Sequence, residues 1–188
     1  MTLLDFARGP ALQVALGIFV LGVVWRIVSL LLLPRLKEKS TARPGAKPAV
    51  IAGGREIVRR MWPDQEFARR TLFNLINGYI FHFGLAIVVF TAAPHILFFE
   101  DLLGISWPNL PNNLVFAVGV VTLGSLIAAL AKRLANPVQR IISTADDYVS
   151  WTLTFLPVLT GLVAASHLGA RYETLLAIHV LSVEALLI

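Results

Sequence analysis

Four histidines, His82, His95, His167 and His179, are the residues of this chain best equipped for chemistry. Three of them fall inside long apolar stretches, where an imidazole is costly unless it is hydrogen-bonded, bound to a metal or open to a water-filled cavity. Neutral imidazole is also an axial ligand of b-type haem, with one ring nitrogen on iron and the other donating a hydrogen bond that fixes the ring. On periodicity alone, two uses stand open for His82, His95 and His179: haem ligation, or hydrogen bonding between helices. His167 lies in the short link His167-Leu168-Gly169-Ala170, where water reaches it, and reads as structural or as a neighbour of a quinone site. Arg26, beside Trp25, can snorkel to the interface or pair with a haem propionate. Glu184, about one and a half turns past His179, can relay a proton or bond a neighbouring helix.

The elements that must position these groups are helices in lipid. Of 188 residues, 57% are hydrophobic and only 14% charged, too little polar surface to keep a monomer in water. Crossing roughly 30 Å of hydrocarbon takes about 20 helical residues. Five stretches qualify, at about 10–33, 71–99, 114–131, 148–165 and 172–188, which predicts an all-α, integral membrane, five-helix transmembrane bundle in a single domain. The first stretch is too long for the apolar part of a signal peptide, and a basic segment follows it rather than a cleavage site. Cysteine is absent, which excludes disulfides, covalent c-type haem and any iron–sulfur cluster held by this chain alone.

The net charge of +5 is a signal of topology rather than of nucleic-acid binding. The loop at about 34–70 carries ten Lys and Arg residues, from Arg35 to Arg70, and the next loop on that side adds Lys132, Arg133 and Arg140; only Arg8 and Arg171 lie opposite. Basic loops stay in the cytoplasm, so the expectation is a multi-pass inner-membrane protein with its N-terminus outside. Within the first basic loop, Ser40 to Pro48 reads as irregular chain. Arg55 to Arg70 is amphipathic, suited to lying on the membrane surface or to docking a cytoplasmic subunit. Trp107, in an outer loop rich in turn formers, reads as an interface marker.

Depth then sorts the histidines. On one continuous second helix His95 stands about 20 Å further out than His82, and His179 lies roughly 10 Å below the outer surface on the fifth. His95 and His179 thus share a level and can clamp one haem, with His82 deeper, where a second would lie. Thirteen residues at about 100° each put His82 and His95 off a common stripe, an angle that a kink at Pro94 can change.

Phe81-His82-Phe83-Gly84, Asp146-Asp147-Tyr148, Leu159-Thr160-Gly161 and Leu176-Ala177-Ile178-His179, taken in order, resemble the gamma subunit family of respiratory nitrate reductase. That family includes related cytochrome b subunits of sulfur-metabolism and heterodisulfide-reductase-like complexes. The resemblance implies a five-helix bundle with two haems b, each held by one histidine of the second span and one of the fifth. His82 matches the first ligand on the second span and His179 the first on the fifth. Where nitrate reductase carries its other second-span ligand this chain has Ala92, so His95 takes that place, a departure that fits the relatives outside nitrate reductase better. The family also carries a last histidine beyond position 188, so the chain is expected to be cut short, with the inner haem's ligand set incomplete.

The expectation is therefore a dihaem b-type subunit moving electrons from quinol, oxidised near the outer haem, to a cytoplasmic iron–sulfur partner. Terminal catalysis would belong to another subunit. The rival is a haem-free membrane anchor or small transporter whose histidines only bond between helices.

Overall fold

The computed structural model describes residues 2–34, 45 and 48–188. It is all-helical among those residues. Eight helices follow in order: α1 (Leu3–Leu32), α2 (Ala49–Arg60), α3 (Ala68–Thr91), α4 (Ala93–Leu103), α5 (Asn112–Ala135), α6 (Pro137–Ile142), α7 (Ala145–Ser166) and α8 (Tyr172–Leu187). Four of them, α1, α3, α5 and α7, are long and apolar enough to cross a membrane. Helix α8 has 16 residues, about 24 Å at the helical rise, and falls short of that length.

The first helix begins earlier than the apolar pattern suggests, because Pro10 does not stop it. Proline gives no N–H to the carbonyl four residues back and its ring crowds that carbonyl. The turn Ala7–Ala11 widens into a π-helix, with the Leu12 N–H reaching the Ala7 carbonyl, and the α-helix resumes.

The second apolar stretch is not one helix. It breaks at Ala92, whose ψ of 128° is extended, giving α3 and α4 in place of a continuous helix over 71–99. Pro94, in the first turn of α4, is the cause: in an unbroken helix it would have to bond the Phe90 carbonyl and cannot. The carbonyls at the end of α3 draw donors from beyond their own helix. Phe90 O accepts from Trp107 Nε1 at 2.5 Å and Thr91 O from the Leu110 N–H at 3.1 Å. Val88 O, besides its ordinary bond from the Ala92 N–H at 3.2 Å, accepts from His95 Nδ1 at 3.1 Å. Trp107 is thus a helix cap as well as an aromatic of the loop.

In the basic segment the helix occupies Ala49–Arg60, earlier than the expected amphipathic run over 55–70. Pro63 ends it by disfavouring helical backbone just before itself. Its apolar residues Val50, Ile57 and Val58, with Met61 just past its end, are exposed, and Glu56 braces Arg59 and Arg60 at 2.8–2.9 Å. Those two guanidiniums hold the Glu56 carboxyl down at about 2. Tyr79 of α3 donates its hydroxyl to the Met61 carbonyl and so ties the end of α2 to the bundle. Arg35 to Pro44, Ala46 and Lys47, including most of the stretch read as irregular chain, lie outside the described residues.

The bundle packs in series: α3 on α5, α5 on α7, α7 on α8 and α8 on α1. Cross-links fix the first pairs as antiparallel. Asn77 Nδ2 donates to the Ser125 carbonyl at 3.0 Å and Lys132 Nζ to Asn74 Oδ1 at 2.8 Å, while Trp151 Nε1 donates to the Leu126 carbonyl at 2.9 Å. These contacts, with the Arg133–Asp147 ion pair at 2.9 Å, gather Arg69, Arg70, Lys132, Arg133 and Arg140 at one end.

Small residues make the seams, as expected where lipid removes the hydrophobic drive between helices and close contact must replace it. Buried positions include Ala7, Ala15, Gly84, Gly119, Thr122, Ser125, Ala164 and Ala177, whereas Leu21 and Trp25 of α1 are 71% and 75% exposed. At Gly84 a Cβ would run into Thr122 Oγ1, and Thr122 is buried with its hydroxyl on the Val118 carbonyl. Gly84→Ala should therefore cost about 1–3 kcal/mol, and Thr122→Ala in the same chain should restore most of it. Thermal melts of the purified variants in detergent check this; a single variant as stable as the parent would remove Gly84 from the seam.

Candidate functional site

Where α3, α5 and α7 come together, Gly119 provides the space. A Cβ there would meet Leu162 Cδ2 at 2.9 Å and Val88 Cγ2 at 3.8 Å, so Val88, Gly119 and Leu162 occupy one layer. Beside Leu162, Gly161 presents its bare backbone to the His179 ring of α8. A Cβ on Gly161 would lie 3.0 Å from Cε1 and 3.3 Å from Nδ1 of that imidazole. The break at Ala92 turns α4 so that His95 bonds the Val88 carbonyl of the same layer. His95 and His179 consequently stand with ring centroids 6.0 Å apart and planes within 19° of parallel. Both are half-buried.

The break also changes the expected spacing. Seven residues span about 10 Å of straight helix, which no hydrogen bond from His95 to Val88 at 3.1 Å could bridge without a bend. The His95 ring therefore sits at the turn of Val88 and the His82 ring at that of Gly78, ten residues or about 15 Å apart along α3 rather than about 20 Å. The angle between the two residues on an ideal helix does not apply across Ala92.

Each of the three candidate ligands has Nδ1 on an oxygen. His82 Nδ1 lies 2.7 Å from the Gly78 carbonyl and His95 Nδ1 3.1 Å from that of Val88. A carbonyl only accepts, so both rings carry their proton on Nδ1 and leave the Nε2 lone pair free. On α8, His179 has its Nδ1 3.2 Å from Thr160 Oγ1. The Thr160 hydroxyl points its one proton at the Leu156 carbonyl, 2.7 Å away, which leaves oxygen lone pairs for the His179 N–H. Ser182 Oγ closes the cluster, 2.9 Å from Thr160 Oγ1 and 2.7 Å from the His179 carbonyl. Oxygen partners of this kind fix the tautomer and orientation of a ligating imidazole.

The remaining candidates stand apart from this pair. His82 is exposed on α3, its ring edge-on to Phe81 at 4.8 Å, and no second histidine stands at its depth among the described residues. His167 caps α7 in the left-handed region at φ 54°, exposed, with its ring 4.9 Å from Tyr172. Arg26 is exposed on α1. Glu184 is buried at 4% exposure, and its Oε1 has no hydrogen-bond partner among the described residues.

As a donor set, the layer offers two imidazole nitrogens. Among the described residues no group of three or more His, Asp or Glu side chains comes together to hold a metal ion, so a metal bound by protein ligands alone is poorly served. Haem asks less of the chain, because the macrocycle supplies four donors and the protein only the axial pair. Two imidazoles on opposite sides of one metal, each bonded at about 2 Å, have centroids about 6 Å apart. The separation of the His95 and His179 rings fits that group. Thr160, Ser182 and Gly161 do not stand out as functional residues in the sequence; only the Leu159-Thr160-Gly161 motif of the resemblance points toward two of them.

The chain is 27% identical over a 189-residue alignment to a protein of Nitratidesulfovibrio vulgaris (strain Hildenborough), which covers 97% of this chain and 81% of that protein. No protein-family profile matches the chain, and no solved structure matches it.

Thr160→Val removes the oxygen facing His179 and leaves the carbonyl partners of His82 and His95 in place. Nitrogen-15 spectra of the labelled protein should show Nδ1–H tautomers for His82 and His95 in both forms, with only the His179 signals changed by the substitution. Unchanged His179 signals would remove Thr160 as its partner.

Proposed function

We propose that this chain is a b-type cytochrome subunit of the inner membrane, passing electrons between the quinone pool and a cytoplasmic iron–sulfur partner. The observation that carries the reading is the His95–His179 pair, 6.0 Å apart with near-parallel planes. In this reading α8 is the fifth span, the N-terminus lies outside, and the basic end of the bundle faces the cytoplasm. His95 and His179 hold the outer haem through Nε2, and His82 is the chain's one ligand to an inner haem. Haem b supplies reversible one-electron transfer when bound there.

The chain's own residues then do the positioning. Val88 O and Thr160 Oγ1 orient the two outer imidazoles, and Gly161 leaves the His179 ring its room. The apolar walls of the bundle keep water away and lower the local dielectric. A haem held by His95 and His179 would supply electron transfer, and the terminal chemistry would belong to a partner. Quinol would give its electrons to the haem held by His95 and His179, and Arg26 stands as a candidate partner for a propionate.

Absorption spectra of the purified protein test the proposal. A Soret band and a reduced α-band of b type are expected, and His95→Ala or His179→Ala should each abolish the outer haem's share. Gly161→Val, which pushes on the His179 ring without removing a ligand, should lower that share too. Protein that purifies folded with no Soret absorbance would leave the rival reading, a haem-free anchor or small transporter whose histidines serve only as hydrogen-bonding groups.

A further inference from the structure

At the basic end of the bundle, away from the His95–His179 layer, α3, α5, α6 and α7 border an open cavity of about 270 Å³. Its walls mix the apolar side chains of Phe81, Leu126 and Trp151 with the polar ones of Asn77, Lys132 and Gln139. Such a lining suits an amphiphile at the boundary of lipid and water.

The charge in the cavity is unevenly matched. Arg133 and Asp147 both reach it, but they neutralise each other at 2.9 Å. The second Asp147 oxygen is taken by the Thr144 N–H at 2.8 Å and the Thr144 hydroxyl at 3.1 Å. Lys132 is different. Its ammonium sits 2.8 Å from Asn74 Oδ1 and 4.4 Å from the Phe73 ring centroid, and no carboxylate pairs with it among the described residues. An amide oxygen and a ring face hold the group in place without cancelling its charge, and N–H donors remain to spare. A half-buried cation held in this way is a site for an anion, and lysine is a good point-charge partner for phosphate.

We propose that this cavity binds the phosphate of an anionic phospholipid, with Lys132 as its charged contact and the Gln139 amide as a second donor. Basic pockets between transmembrane helices take anionic headgroups in this manner, and the apolar side chains of the walls accommodate the start of the lipid's glycerol and acyl portion. The site lies apart from the His95–His179 pair.

The test is native mass spectrometry of the full chain in nanodiscs containing phosphatidylcholine and phosphatidylglycerol in equal amounts. Phosphatidylglycerol should be retained in preference, Lys132→Gln should lower its retention about five-fold, and Lys132→Arg should keep most of it. Arg140→Gln, at an exposed position outside the cavity, should leave it unchanged. Asn74→Ala frees the Lys132 ammonium and should also weaken retention, which keeps the proposal testable should Lys132→Gln not fold. Equal retention of the two lipids, or equal loss in Lys132→Gln and Arg140→Gln, would overturn it. Displacement of the lipid by millimolar inorganic phosphate would overturn the lipid assignment in favour of a free-phosphate site.

Discussion

The histidine layer depends on how the carbonyls at the end of α3 find donors. In hydrocarbon a bare backbone carbonyl costs several kcal/mol, and Pro94 removes the N–H that would have continued the helix. Trp107 and Leu110 answer from the following loop, and the turn of chain they secure swings α4 back over α3. His95 then reaches the Val88 carbonyl. The imidazole is seated by the same break that freed the carbonyls, and that one bond sets its tautomer.

Four of the spans were legible in the sequence because their signal is composition over some twenty residues, which tolerates errors at either end. The gathering of basic residues at one end was legible for a similar reason: Lys132, Arg133 and Arg140 lie in a short loop whose ends must meet. The break at Ala92 was harder to read. Pro94 signalled a kink, but its depth depends on whether distant groups can satisfy the freed carbonyls, and Trp107 lies seventeen residues from Phe90. Periodicity carries no information about such a pairing.

The candidate site divides in the same way. His95 and His179 can be matched in depth from sequence, although a separation of about 20 Å between His82 and His95 holds only on one unbroken helix. The surrounding groups were not legible. Thr160 bonds its own helix in the ordinary way of a threonine in a span, and only the tertiary structure turns its lone pairs toward His179. Gly161 looks like any glycine in an apolar run until the ring against it is seen.

The packing order gives the histidine pair a further significance. Helices join in series from α3 through α5 and α7 to α8, so α3 and α8 do not pack on one another as the adjacent pairs do. Side chains that approach across that gap must reach from elements held by other contacts. His95 does so from α4, anchored by its bond to Val88, and His179 does so from α8, anchored by Thr160. Both Nδ1 bonds run between helices, from α4 to α3 and from α8 to α7, so hydrogen bonding between helices accounts for each imidazole singly but not for the approach of the two rings to 6.0 Å. The rings stand at the separation of two ligands on one metal, which is why the pair, more than any single histidine, favours the haem reading.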